Sequence, residues 1–303
     1  MRATTQLWPF VRIAVAAWLL TITVPLQAHA DKIVLNSGRT ISGEVSAEDD
    51  RTVTLEVAGP GMTFAQRVNK SQIKVWDRPA RVGPSYVLIP LFGRIGTEAT
   101  ASTLKAAIAT AAESKPRYLV VVIDSPGGDV AEIPKIIDVL DEASRNTETI
   151  AYVKNSYSAA AVIAMSCRRI FMEPHAAIGA AVPYKPTENG PAELEAKFRS
   201  AVVACFRQAA VHGGHDDLLM RGMCELNTEI ILQHENGHPV LRMSGPGKVI
   251  KSKGEILTLT ADEAAECGLA SIATDLTDLG KQLTGGEWHE ANRRAWNLVI
   301  RKA

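Results

Sequence analysis

Between residues 32 and 76 apolar side chains recur at every second position, and turn residues break the pattern at short intervals. The runs are Ile33-Val-Leu35, Ile41 to Val45, Val53-Thr-Leu55-Glu-Val57, Phe64 to Val68 and Ile73-Lys-Val75. Asn36-Ser-Gly38, Asp49-Asp50 and Gly59-Pro-Gly61 separate them. A period of two with such punctuation predicts four or five short strands, closing into a small barrel over residues 31–80. Asp77-Arg-Pro-Ala-Arg-Val-Gly-Pro84 then reads as a linker.

Beyond the linker the rhythm changes to strand–helix–strand. Tyr86-Val-Leu-Ile89 is a strand, Thr100 to Ser114 an alanine-rich helix, and Tyr118-Leu-Val-Val-Val-Ile123 is apolar throughout, as a parallel strand covered on both faces must be. A helix from about Ala131 to Ser144, a strand Thr149 to Val153, a short helix from Ser158 to Met165 and a strand Arg169 to Met172 follow. Pro191 to Val211 predicts a helix with an apolar stripe of Leu194, Phe198, Ala201, Val202, Cys205 and Ala209. Glu229–Gln233 and Val240–Met243 form a hairpin around Asn236-Gly237. Ile256–Leu259 is a late strand, and Thr260-Ala-Asp-Glu263 is a capping box opening a helix that Gly268 ends. The fold class is α/β, a core of repeated βαβ units over residues 85–285 behind a small all-β module, with a C-terminal helix over 286–303.

The first thirty residues stand apart. Arg2 and Arg12 precede the apolar run Ile13 to Val24, and Ala28-His29-Ala30 follows. This is the layout of a secretory signal peptide cleaved after Ala30, the run being short for a spanning helix. The mature chain is then expected to start at Asp31, to be soluble, and to be periplasmic. An uncleaved membrane anchor is the alternative.

Charge narrows the partners. The 33 Lys and Arg balance 33 Asp and Glu with no basic cluster, so no nucleic-acid partner is expected. Export also changes how Cys167, Cys205, Cys224 and Cys267 read: disulfides persist outside the cytoplasm, and Cys205–Cys224 is one pairing, four buried thiols the other reading. Their spacing fits no zinc pattern, and His212-Gly-Gly-His215 lacks a completed ligand set, so no metal is expected.

Candidate chemistry concentrates in two stretches. Asp124-Ser-Pro-Gly-Gly-Asp129 follows the buried strand and precedes a helix, where two glycines let the backbone turn N–H groups into a cleft. A plain strand-to-helix turn is the alternative. Asn155-Ser-Tyr-Ser158-Ala-Ala-Ala161 places a serine among small residues between a strand and a helix, either as an exposed nucleophile or as a helix N-cap. His175 sits in a turn. Lys197, at the edge of its helix's stripe beside Ala201 and Ala204, is either a partly buried base or a rim lysine reaching solvent.

Ser-Pro-Gly-Gly after an apolar strand, with Ser158 following Gly128 by 30 positions, resembles the Clp/crotonase superfamily. Within it the chain is similar to the NfeD-type serine proteases, relatives of signal peptide peptidase A. Met172-Glu-Pro-His-Ala-Ala-Ile-Gly-Ala-Ala-Val-Pro183, Gly254 to Ala264 and Gly268-Leu-Ala270 carry further matches, so the resemblance covers residues 85–280. It implies a serine/lysine dyad of Ser158 and Lys197, an oxyanion hole from the Gly128 and Ala159 N–H groups, and no cofactor. It implies a peptide or protein substrate, with membrane proteins among the candidates, and a homo-oligomer. The histidine used by Clp proteases would fall in Ile178-Gly-Ala-Ala181, where there is none. The serine motif departs from the family's usual form at Ala160 and Tyr157, and the NfeD-type membrane helices are missing from this sequence. The other readings are an inactive family member serving as a scaffold, and a crotonase-type acyl-CoA enzyme, which export disfavours.

Overall fold

The computed structural model describes residues 30–300 apart from 49, 60–61, 79–80 and 188–189. Residues 1–29, nearly all of the segment expected to be a signal peptide, lie outside the described part. The alternating N-terminal segment forms β1 (Asp31–Leu35), β2 (Thr40–Glu48), β3 (Thr52–Gly59), β4 (Met62–Asn69) and β5 (Ile73–Asp77). They make one antiparallel sheet in the order β4-β3-β2-β1-β5. Ile33, Ile41, Val45, Val53, Leu55 and Val68 form its own small core. No pairing joins β4 to β5, so the expected closed barrel is an open sheet.

The second unit begins with β6 (Ser85–Phe92), α1 (Ala101–Ala112), β7 (Tyr118–Ser125), α2 (Ile133–Ser144), β8 (Glu148–Tyr157) and α3 (Ala159–Ser166). It continues with β9 (Arg169–Met172), β10 (Ala177–Gly179), the hairpin β11 (Tyr184–Thr187) and β12 (Gly190–Glu193), α4 (Ala196–Gly213) and α5 (Asp217–Cys224). A three-stranded sheet of β13 (Ile230–Glu235), β14 (His238–Arg242) and β15 (Lys248–Lys251) follows. The chain then returns through β16 (Thr258–Thr260), α6 (Ala261–Glu266), β17 (Ser271–Ile272), α7 (Leu276–Thr284), β18 (His289–Glu290) and α8 (Arg294–Ile300).

The main sheet runs β16-β10-β8-β7-β6-β18, with β9 beside β8 and β17 beside β9. All its pairs are parallel except β10 with β16. β8 is long enough to hold two partners on one edge: Ile150–Val153 pair with β9, and Ser156–Tyr157 with β10. Both faces are buried. Val87, Ile89, Leu119, Val121, Ile123 and Val153 face the helices α1 to α3, while Tyr86, Leu88, Tyr118, Val120, Val122 and Tyr152 face Leu279 and Trp288. Alternate residues of one strand thus enter two cores, which accounts for the unbroken apolar run 118–123.

Three expectations need correction. Residues 190–193, expected as the start of a helix from Pro191, pair in the β11–β12 hairpin, and α4 starts at Ala196. Residues 286–300 supply the edge strand β18 as well as α8, so they belong to the sheet and are more than a terminal helix. All four cysteines are free thiols, so the Cys205–Cys224 pairing is not made. Burial pushes the Cys167 and Cys224 thiols up to about 12, which leaves them unreactive packing groups.

Candidate functional site

The C-terminal ends of β7 and β8 carry the two candidate stretches side by side, as adjacent parallel strands should. Ser158 sits at the N-cap of α3, half-buried, with φ 55° and ψ −124°. That backbone is glycine territory, and a serine is held there against strain. It is no N-cap in the usual sense, because its side chain accepts no bond from the helix. Its own N–H donates to Gly179 O at 2.8 Å, which ties the turn to β10. Every residue of α3 is buried, so the small alanines that follow the serine let the helix sink directly behind it.

The glycine turn packs against this serine. A Cβ on Gly127 would fall 2.5 Å from Ser158 Cβ and 3.0 Å from Ala159 N, so only glycine allows the approach. A Cβ on Gly128 would fall 2.2 Å from Ile95 O. The turn is held on both sides of Gly128: Ile95 N–H donates to Gly127 O and Asp129 N–H donates to Ile95 O, each at 2.9 Å. Gly128 N–H donates to no described residue, and neither does Ala159 N–H at the open end of α3. Two N–H groups without a partner among the described residues, one next to the glycine packed on Ser158 and one at the positive end of α3, can hold a developing oxyanion.

Lys197 is placed elsewhere. The buried stripe of α4 is Val203, Phe206, Ala209, Ala210 and Gly213, not the stripe centred on Phe198, which is 57% exposed. At roughly 100° per residue Lys197 lies about half a turn round from that stripe. It is exposed, with Nζ 5.9 Å from the Phe198 ring centre, and makes no hydrogen bond to Ser158. The expected partial burial of this lysine is therefore not met in the isolated chain.

Two of the other histidines have structural partners. His212 pairs with Asp141 at 2.5 Å, and His215 Nε2 donates to Cys167 O, burial lowering its pKa. Lys154 pairs with Glu173 at 3.3 Å. Among the described residues no group of three His, Cys, Asp or Glu converges as a metal site would. Ser156 is fully buried, which removes it as a nucleophile. Sequence reasoning missed Ile95 and the Gly179 carbonyl, which act through main-chain bonds from distant segments and carry no side-chain signal. It also gave no role to Ser125, which bonds to Gly127 N–H and Gly93 O.

Residues 86–291 match the profile of the NfeD1b N-terminal domain. A curated relative, the membrane protein NfeD1b of Bacillus subtilis (strain 168), is 29% identical over 185 residues, which is 60% of this chain. The chain spans 38% of that relative's length. Among solved structures, a serine-to-alanine mutant of the 1510-N membrane-bound stomatin-specific protease superposes with a TM-score of 0.53. It shares 19% identity over 70% of this chain and 94% of that one. A lysine-to-alanine mutant of the same protease, in complex with a substrate peptide, gives the same score and identity over 70% and 89%. At that identity the likeness establishes a common protease-like fold.

Proposed function

The chain belongs to the NfeD1b N-terminal domain family, and we propose that it is a serine endopeptidase with Ser158 as nucleophile. The observation that carries this reading is the strained serine, φ 55°, beside two N–H groups without a partner among the described residues. Ser158 Oγ gives its proton to a base and attacks the scissile carbonyl, the carbonyl oxygen becomes an oxyanion held by Gly128 and Ala159 N–H, and the C–N bond breaks as the base returns that proton to the leaving amine. Water then releases the acyl group.

Lys197 is the base this reading assigns. It would reach Ser158 once the first turn of α4 and the β11–β12 hairpin close over a bound peptide. That a serine and a lysine were each replaced by alanine in the 1510-N protease, the latter with substrate bound, supports the pairing. That protease is specific for a stomatin, which supports a peptide or protein substrate here, with segments of membrane proteins among the candidates. Export to the periplasm with cleavage after Ala30 fits the start of β1 at Asp31, whose buried carboxylate accepts from Trp76 Nε1 at 2.8 Å. No described helix is long and apolar enough to cross a membrane. A homodimer or larger ring is the assembly proposed, and light scattering of the purified protein reads it directly.

The separation of Lys197 from Ser158 favours a second reading, an inactive scaffold. The two part on one experiment. On a broad peptide library, Ser158→Ala abolishes cleavage and Lys197→Ala lowers it by the ~10²–10⁴-fold of a lost general base. A fluorophosphonate labels Ser158 in the wild type. Cleavage that survives Ser158→Ala overturns the nucleophile, and a wild type inert to both reagents leaves the scaffold.

A further inference from the structure

The Gly127–Asp129 turn presents three consecutive N–H groups, and two are bonded within the protein. Asp129 N–H goes to Ile95 O, and Gly127 N–H goes to Ser125 Oγ at 3.1 Å. The same hydroxyl donates its proton to Gly93 O at 2.6 Å, at the end of β6. Ser125 is 1% exposed, so water does not compete for either bond. One hydroxyl thus joins the end of β6, the end of β7 and the first glycine of the turn.

The consequence follows from peptide planarity. Gly127 O and Gly128 N–H belong to one rigid unit, which Ile95 N–H grips by its oxygen. The preceding unit, ending in Gly127 N–H, is gripped among the described residues by Ser125. Between the two units lies Gly127, with φ 93° and no side chain to restrict rotation. We propose that Ser125 is a positioning residue for the reaction: its hydroxyl fixes the Pro126–Gly127 peptide and so keeps Gly128 N–H aimed beside Ser158. This rests on the peptidase reading of Ser158.

The fold supplies a matched control. Ser156 is the register partner of Ser125 on β8, equally buried, and its Oγ bonds to no described residue. Wild type, Ser125→Ala, Ser125→Thr and Ser156→Ala are compared on a peptide that the wild type cleaves. Melting temperature and amide hydrogen exchange at Gly127 are measured alongside. Ser125→Ala lowers kcat by ~10- to 100-fold, less than the ~10²–10³ for deleting a donor outright. Its KM stays within about threefold of wild type, and Gly127 exchanges faster. Ser156→Ala keeps wild-type kcat, and Ser125→Thr, which retains the hydroxyl, recovers activity. Equal kcat in Ser125→Ala and wild type overturns the proposal while leaving the peptidase reading intact, as does an equal loss in both serine-to-alanine variants. A wild type inert to peptides and to fluorophosphonate overturns the peptidase reading first. Unchanged Gly127 exchange in Ser125→Ala then removes the hold on the turn as well.

Discussion

At the residue scale the site is marked by strain more than by charge. Ser158 occupies a backbone conformation that costs a side-chain-bearing residue ~1–3 kcal/mol, and the bonds around it hold it there. Selection for stability alone would place glycine at this position. Ser158→Gly and Ser158→Ala both lack the hydroxyl, yet the glycine variant is expected to be more stable than the alanine variant by about 1 kcal/mol in urea unfolding. Equal midpoints would mean the turn relaxes freely and stores nothing. Gly127→Ala runs the other way. Its Cβ meets Ser158 Cβ at 2.5 Å and its φ is 93°, so it should lose more than ~2 kcal/mol together with any Ser158 reactivity.

At the element scale the parallel strands were legible because burial on both faces writes itself as a continuous apolar run. Asn236-Gly237 was legible because both residues take positive φ, as the tight hairpin turn requires. The capping box at Thr260 and Glu263 was legible from side-chain chemistry, and both of its bonds are made. The alanine-rich α4 was not. Ala201, Ala204, Ala209 and Ala210 fit a stripe in more than one phase, so Phe198 drew the expected face toward itself, whereas Phe206 and Gly213 define the real one. The glycine-rich turn was readable as a donor site, but not which groups hold it, because Ile95, Gly93 and Gly179 reach it from other segments. The true phase has a direct readout. Phe206→Ala should lose ~3–5 kcal/mol, while Phe198→Ala should stay within about 0.5 kcal/mol of wild type in the same urea titration. Comparable losses at both would restore the rejected face.

At the scale of the whole molecule the β module and the α/β unit share the Arg293 cation. Arg293 Nε lies 3.0 Å from Glu290 Oε2 and 3.3 Å from Glu44 Oε2 on β2, with Arg81 also near Glu44 and Tyr86 beside the group. Burial raises the pKa of both glutamates, and Glu290 is raised to about 7. A carboxyl that holds its proton more tightly in the folded protein stabilises it most below its unfolded pKa, and that contribution fades as pH rises through about 7. The melting temperature should therefore fall between about pH 4.5 and 7 and level off above, and Glu290→Gln should flatten the fall. A wild-type profile flat across that range would mean that Arg293 fully offsets the burial of Glu290. The other partner of this junction has a consequence in time. β18 pairs with β6, and Trp288 stacks 4.0 Å from Tyr86, so the first core strand finds its outer neighbour about two hundred residues later in synthesis. A chain of which only residues up to about 285 are available cannot close this edge of the sheet. The outer edge of β6 therefore stays unpaired until residues 289 and 290 are available to it.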